Sequence, residues 1–149
     1  MDLKVKRLAA DAVLPRYAHE GDAGLDVFSS EAVEIAPGES ASVPTGIVVE
    51  LPPGTEAQIR PRSGLAARHR VTVLNAPGTI DAGYRGELRV LLINHGRETF
   101  RIDKGMRVAQ MIVAPVLRAD VREVEEVSET ARGAGGFGST GLGARGDKM

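Results

Sequence analysis

Four stretches between apolar runs are dense in polar residues flanked by glycine. They are DAGLD at 22–26, PRSGLA at 61–66, LNAPGTIDAGYRGE at 74–87 and GMRVAQ at 105–110. Such density is unusual for segments that only connect strands. These stretches are therefore the candidates to carry chemistry.

The third stretch places glycines around an aspartate and a tyrosine. Gly78, Gly83 and Gly86 surround Asp81 and Tyr84, a pattern that predicts a tight hairpin whose backbone can approach a flat ligand. The same pattern is compatible with a hairpin that only connects strands, since a turn aspartate often bonds its own backbone. This stretch alone leaves both interpretations open.

The C-terminal stretch ARGAGGFGSTGLGARGDKM, residues 131–149, contains seven glycines. Such a composition is typical of a disordered tail, because glycine loses the most backbone entropy on ordering. Arg132 and Phe137 are unusual in a simple linker, so a segment that folds over a ligand is the alternative. Its amino acids alone do not choose between the two.

The elements that must position these residues are short apolar runs, often with a spacing of two, broken by proline and glycine. Such runs predict an all-β sandwich or barrel. One short helix is predicted over 63–69, with Ser63 as its cap. In VREVEEV, 121–127, the valines three apart favour a helix, but the run is too short to decide. Periodicity stops near residue 128, which predicts a β domain over 1–128 and a flexible glycine-rich tail over 129–149.

Bulk composition excludes several classes of protein. The 149 residues suit one domain, and 19 basic against 20 acidic residues give no overall field for nucleic acid or an acidic membrane. The absence of cysteine excludes disulfides and thiolate chemistry and suits a reducing compartment. With no tryptophan and few aromatic residues, the core must be aliphatic. We expect a cytoplasmic protein without a nucleic-acid or membrane partner, since no signal peptide or membrane-spanning run is visible.

Taken in order, the stretches resemble the five motifs of the trimeric deoxyuridine triphosphatases, or dUTP nucleotidohydrolases. The counterparts are AGLD, PRSG, GTIDAGYRG, GMRVAQ and RGAGGFGSTG, which span residue 22 to about 141. The resemblance implies hydrolysis of dUTP to dUMP and pyrophosphate with Mg²⁺, on a distorted jelly-roll or barrel-like β-sandwich. It also implies a homotrimer with shared active sites. Val27-Phe28, where the family's first motif often continues with leucine, is interpreted as core variation, and the residues beyond Thr140 have no implied role.

The resemblance also implies roles for individual residues. Asp81 is the catalytic base that activates water for attack on the α-phosphorus, and Asp26 holds the Mg²⁺-triphosphate unit through metal-bound water. Gln110 reaches the phosphates, although a glutamine in an apolar strand could instead bond a neighbouring backbone. The other implied substrate-binding residues are Arg62, Ser63 and Gly64 for phosphate; Asn75, Thr79, Ile80 and Tyr84 for uracil and deoxyribose; Arg89 at a variable contact position; and Arg132, Phe137, Gly138, Ser139 and Thr140 in a closing tail.

Two alternatives belong to different classes. The related dCTP deaminases carry a glutamate on the strand after the hairpin, where this chain has Leu91 in RVLLIN. The missing carboxylate argues against deamination. A non-catalytic trimeric nucleotide-binding protein is the second alternative, and the presence of Asp81, Asp26 and Arg132 argues against it.

Overall fold

The structure is a computed structural model that describes residues 1–141. Of the tail predicted over 129–149, residues 142–149 lie outside the described part. The elements are β1 (Lys4–Arg7), β2 (Leu25–Phe28), β3 (Val33–Ile35), β4 (Ser40–Pro44), β5 (Ile47–Glu50), β6 (Thr55–Arg60), α1 (Ser63–His69), β7 (Val71–Val73), β8 (Gly78–Asp81), β9 (Arg89–Asn94), β10 (Phe100–Ile102) and β11 (Arg107–Pro115).

The strands form antiparallel sheets. A four-stranded sheet has the order β2-β11-β6-β8, a three-stranded sheet has the order β4-β9-β7, and β1-β5 and β3-β10 form two-stranded sheets. Neighbours in the larger sheets come from distant parts of the sequence, as in the pairing of β11 with both β2 and β6. The all-β class with one short helix is therefore confirmed.

The core is aliphatic, as the composition predicts. Along β9, buried Val90 and Leu92 alternate with exposed Arg89 and Leu91, the two-residue period of a strand with one covered face. The largest fully buried side chains are Ile35, Ile47, Leu88, Leu92, Ile102, Met111, Val27, Val43, Val49, Val71, Val90 and Val108. Packing of these side chains fixes the loops between strands, where the polar stretches lie.

Helix α1 covers the predicted residues, but the prediction that Ser63 caps it is wrong. The N-cap is Arg62, which keeps the extended conformation that follows β6 (φ −90°, ψ 127°) and makes no side-chain capping bond. Its carbonyl accepts the N–H groups of Leu65 and Ala66, both at 3.1 Å. Ser63 is thus the first helical residue, and its hydroxyl is available for another partner.

The segment 74–87 is not the tight hairpin that its glycines predict. The N–H of Leu74 donates to the carbonyl of Leu91 at 2.8 Å, which extends the pairing of β7 with β9. Between them lies a wide loop that contains β8, and β8 pairs with β6 in the other large sheet. The prediction fails because the backbone groups of Gly78–Asp81 find their partners on β6 and not on the residues that follow.

The chain divides into a first unit, Met1–Leu117, and a second that begins at Arg118. The first unit therefore ends earlier than the boundary that the composition indicates near residue 128. Residues 121–127 form neither helix nor strand, and Val121, Val124 and Val127 are exposed. The helical interpretation of their spacing is wrong, since a helix this short needs a surface on which to bury its apolar face.

Candidate active site

One open cavity of about 300 Å³ brings together residues from three of the predicted motifs. We call its predicted residues the cavity cluster: Asp26, Arg62, Ser63, Gly64 and Gln110. They are the residues to which the resemblance gives phosphate and metal roles. The remaining lining residues are Ala18, Asp22, Ala23 and Gly24.

Strand pairing brings the cavity cluster together. Gln110 on β11 lies directly opposite Asp26 on β2 and, on its other side, opposite Arg60 at the end of β6. Arg62 follows β6 after Pro61 and enters α1. Three motifs that are far apart in the sequence thus meet at one end of the four-stranded sheet.

Asp26 lies between two arginines. Its carboxylate, in a side chain only 13% exposed, has Oδ1 3.2 Å from the Nε of Arg62 and Oδ2 2.7 Å from the Nε of Arg107. Of the two arginines, Arg62 lines the cavity and can offer its guanidinium to an anionic ligand. Sequence reasoning missed Arg107; its signal was its place in GMRVAQ, but nothing in the sequence indicated which face of the strand it occupies.

Gln110 bonds the backbone, which is the second of the two roles left open for it. Its Nε2 donates to the carbonyl of Pro61 at 2.9 Å and so holds the segment that leads into Arg62. A Cβ on Gly24 would overlap the Oε1 of Gln110 and lie 3.2 Å from its Cβ. Glycine is therefore required at 24 for the amide to occupy this position, a constraint that the sequence analysis missed.

A second group, the loop cluster, consists of Asn75, Thr79, Ile80, Asp81 and Tyr84. Thr79 and Ile80 lie on β8 opposite Gln58 and Ala57, and the exposed Asp81 ends the strand. The N–H of Tyr84 donates to the carbonyl of Asp81 at 3.0 Å, which closes a turn.

Two glycines of this loop have close neighbours. The ring of Tyr84 lies over Gly86, where a Cβ would come 2.9 Å from its Cε2, and its hydroxyl donates to the carbonyl of Glu87 at 3.0 Å. A Cβ on Gly78 would lie 3.3 Å from the Nδ2 of Asn75. The absence of side chains at 78 and 86 thus gives room to Asn75 and Tyr84.

Asp81 and the cavity cluster are not brought together within one chain. Asp81 lies opposite Glu56 on β6, whereas Gln110 lies opposite Arg60. Four residues of extended strand span roughly 13 Å, and β8 and β11 also lie on opposite sides of β6. The carboxylate predicted to activate water is therefore remote from the side chains predicted to hold the phosphates.

Arg89 is occupied by contacts within the sheet. Its Nε and Nη2 donate to the Oγ and carbonyl of Ser42, both at 2.8 Å, and its Nη1 lies 2.9 Å from Oε2 of Glu87. These contacts tie β9 to β4.

The residues of the fifth motif lie in the second unit. Arg132 donates from Nε to the carbonyl of Gly135 at 2.9 Å, and Phe137 is fully exposed with φ 46°. Ser139 donates its N–H to the carbonyl of Gly136 at 3.0 Å. The adjoining Gly138 and Thr140 complete this tail cluster, in which consecutive turns replace regular structure.

The donor set of the cavity fits only a metal that retains most of its water. No group of three or more His, Asp or Glu residues within 1–141 could hold a metal ion. Asp22 accepts the N–H of His19 at 2.8 Å, as a turn residue does, and Asp26 is the other carboxylate of the cavity. Mg²⁺ bound mainly by phosphate oxygens and water fits such a site, because it takes few protein ligands.

The fold and the site define an antiparallel β-protein with an open polar cavity lined by Asp26, Arg62 and Ser63. The family model for dUTPase matches residues 10–141, so the chain belongs to the dUTPase family. The resemblance to this family is confirmed.

Curated relatives agree over nearly the whole chain. The deoxyuridine 5'-triphosphate nucleotidohydrolase of Gloeothece citriformis is 61% identical over 142 residues, which is 95% of this chain and 98% of the relative. The enzyme of the same name from Clostridium acetobutylicum is also 61% identical, with the same coverage. The chain is therefore an enzyme, a dUTP diphosphatase of nucleotide metabolism.

Solved structures of phage dUTPases have the same fold. The dUTPase of Staphylococcus bacteriophage 80alpha with dUpNHpp matches with a TM-score of 0.89 at 31% identity, over 95% of this chain and 99% of that chain. A mutant dUTPase from phage phi11 of S. aureus, described with a coordinated structural Mg(II) ion, matches with a TM-score of 0.79 at 28% identity, over 85% and 98%. Within the described residues, our chain has no helix that is long and apolar enough to cross a membrane.

Proposed function

We propose that this enzyme cleaves dUTP to dUMP and pyrophosphate at active sites assembled from three copies of the chain, with Asp81 as the general base. The observation that carries the proposal is the separation of Asp81 from the cavity cluster along β6. A site that needs both must take them from different subunits. The activity limits uracil incorporation into DNA and supplies dUMP for thymidylate synthesis.

The cavity cluster binds the triphosphate. Arg62 exchanges its contact with Asp26 for phosphate oxygens, and the Ser63 hydroxyl with the amides of Ser63 and Gly64 donates to the same oxygens. Leu65 donates the first hydrogen bond of the helix, so the N–H groups of Ser63 and Gly64 have no partner within the helix and can donate to phosphate. Gln110 keeps its Nε2 bond to Pro61 and donates the second Nε2 hydrogen to phosphate, and Asp26 faces the cation.

Mg²⁺, when bound with the triphosphate, supplies positive charge that offsets the negative charge developing on the phosphate oxygens. Asp26 would hold Mg²⁺ through water, together with the oxygens of the phosphates that Arg62 binds. The single carboxylate of the cavity cluster supports this arrangement.

The loop cluster of a second copy provides the base and selects the nucleoside. Asp81 accepts a proton from the attacking water, a step for which a positioned carboxylate is suited. Strand β8 lies at the edge of its sheet, so every second residue of Gly78–Asp81 directs its backbone N–H and C=O away from β6 and offers them to the edge of uracil. Asn75 completes these hydrogen bonds.

Discrimination between nucleotides follows from the same loop. The Tyr84 ring packs on deoxyribose and leaves no space for a ribose 2′-hydroxyl, and its position over Gly86 restricts its movement. A base that leaves buried donors unpaired is rejected at about 1–3 kcal/mol per group. Arg89 supports this loop through its ion pair with Glu87.

The tail cluster of a third copy closes the site. Phe137, fully exposed within its own unit, stacks on uracil, and Arg132 reaches the γ-phosphate. Gly138, Ser139 and Thr140 donate amide and hydroxyl hydrogens to the phosphates. Closure excludes water other than the nucleophile and strengthens each charge interaction.

The assembly is a closed homotrimer of jelly-roll-like subunits, and cyclic symmetry gives three identical shared sites. The substrate is a free nucleotide, with neither nucleic acid nor membrane as a partner. The cysteine-free composition suits the cytoplasm.

Mixing two inactive variants tests the shared site. Asp81→Asn lacks the base and Arg62→Gln lacks the phosphate ligand, so each alone should be nearly inactive. When equal amounts are unfolded and refolded together, about one quarter of the sites in random trimers combine an intact cavity cluster with an intact loop cluster. Pyrophosphate release near that fraction of the wild-type rate supports sharing between subunits. Activity that stays at the level of the separate variants, in trimers shown by native mass spectrometry to contain both variants, contradicts it.

A further inference from the structure

A β-bulge in β11 determines which residues share a face with Asp26. Arg107 lies opposite Phe28, but Ala109, and not Val108, lies opposite Val27, so the register shifts by one residue between them. From there Gln110 lies opposite Asp26. Paired residues point to the same face, which places Arg107 and Gln110 on the face that carries Asp26 and Phe28. Without the bulge, residues three apart would face opposite ways.

Arg107 is fixed by two contacts on this face. Its Nε lies 2.7 Å from Oδ2 of Asp26, and its guanidinium carbon lies 5.5 Å from the centroid of the buried Phe28 ring. Arg16 lies 5.2 Å from the same centroid and pairs with Asp26 only through the backbone. Phe28 thus supports two arginines, of which one holds the carboxylate.

The two arginines paired with Asp26 differ in their access to the cavity and in their distance from the carboxylate. Arg62 lines the cavity and approaches Oδ1 at 3.2 Å, whereas Arg107 is not a lining residue and holds Oδ2 at the shorter distance. Arg62 can therefore turn to phosphate and release Oδ1, while Oδ2 stays bound. Arg107 is held by two contacts, the ion pair with Asp26 and the Phe28 ring, whereas the Arg62 side chain has, within residues 1–141, the ion pair with Asp26 alone.

We propose that Arg107 is a positioning residue that fixes the Asp26 carboxylate, so that its free oxygen meets hydrated Mg²⁺ when the magnesium-triphosphate unit enters. This inference rests on the proposed function of the cavity cluster. Arg107 makes no contact with substrate; it acts through Asp26. Loss of a residue that holds a metal-binding carboxylate in place lowers metal affinity by about 10- to 100-fold.

Binding of the non-hydrolysable nucleotide dUpNHpp, measured by calorimetry with and without Mg²⁺, tests the inference without turnover. Arg107→Gln removes the ion pair, and Arg16→Gln is the matched control that removes a cation from the same ring and leaves Asp26 paired. We expect Arg107→Gln to reduce the gain in affinity that Mg²⁺ provides by about tenfold or more. Binding without Mg²⁺ should change little, and Arg16→Gln should retain the full gain. Arg107→Lys, which keeps a cation near Oδ2 of Asp26, should recover part of the affinity gain from Mg²⁺.

Three results would overturn the inference. One is an unchanged magnesium gain in Arg107→Gln. The second is an equal loss in Arg16→Gln, which would assign the effect to packing on Phe28. The third is an equal loss of binding with and without Mg²⁺. Failure of the proposed function is distinguishable from all three, because the wild-type chain would then bind dUpNHpp with no gain from Mg²⁺.

Discussion

Arg107 and Gln110 lie on the same face of β11 although they are three positions apart, because a β-bulge shifts the register between Arg107 and Ala109. The consecutive burial of Val108 and Ala109 is the local consequence. Both flanking side chains thereby lie on the face that carries Asp26. A single inserted residue thus supplies the carboxylate with a charged neighbour and with the amide opposite it.

Replacement of Asp81 by asparagine should abolish catalysis and preserve binding. Asparagine keeps the size of the side chain but cannot accept the proton of the attacking water, so kcat for dUTP should fall by about 100- to 10,000-fold. Pyrophosphate release and dUpNHpp affinity should be measured together. Asp103→Asn, the same change at an exposed turn before β11, is the control and should keep full activity. A variant at 81 with undiminished turnover would remove Asp81 from the mechanism.

Truncation after Thr130 should remove activity without unfolding the first unit. The buried core lies within Met1–Leu117, whereas Arg132 and Phe137 lie in the second unit. We expect the full chain with Mg²⁺ to cleave dUTP but not dTTP, dCTP or UTP, and the truncated chain to cleave none. Circular dichroism should give the same melting temperature for both. Undiminished dUTP cleavage by the truncated chain would show that the tail is dispensable.

Alanine at Gly24 should disturb the cavity through Gln110. The added Cβ overlaps the Oε1 of Gln110, so the amide must move and its hydrogen bond to the Pro61 carbonyl is lost. Because Gln110 and Pro61 are half-buried, the cost is about 0.5–1.5 kcal/mol of unfolding free energy, measured by urea denaturation. Gly83→Ala is the matched control, because nothing lies within 4 Å of a Cβ there. Equal stability of the two variants would contradict the close contact at Gly24.

Exposed ion pairs should give a small stability increment that disappears in acid. The hydrogen bond and charge of Lys104 hold the pKa of Asp11 below its ordinary value of 3.8. Because the pKa is lower in the folded state, the ionised Asp11 stabilises the folded protein at pH values above the ordinary pKa. This stabilisation is lost as the pH falls through the lowered pKa.

Asp11→Asn removes this linkage, so its melting temperature should lie slightly below that of the wild type at pH 7. The melting temperatures of the variant and the wild type should converge below pH 3.8. The pKa of Glu50 is lowered in the same way by Lys4, so Glu50→Gln should behave alike. A difference that stays constant from pH 7 to pH 2.5 would contradict the assignment.

Much of the fold could be predicted from local patterns. Short apolar runs with a spacing of two predicted most of the strands, and α1 covers the predicted residues. The prediction of a tight hairpin was wrong because glycine spacing indicates where the chain can turn. It does not indicate which strand will pair with the residues beside the turn. β8 pairs with β6, a partner whose choice depends on the whole sheet.

The candidate site was predicted in part. Five residues with predicted roles, from the first, second and fourth motifs, line one cavity, while their roles stay predictions. Arg107 was missed, since its face depends on a bulge and bulges leave no periodic signal. Gly24 was missed because its role is a close approach to a side chain from another strand.

The sequence by itself determined the class of fold, the aliphatic core and the family, because these depend on composition, periodicity and motif order. The tertiary structure decided which residues meet. Antiparallel pairing brought Asp26 to Gln110 and kept Asp81 at the other end of β6. Such distances are set by strand register, which long-range packing fixes and no local stretch of sequence encodes.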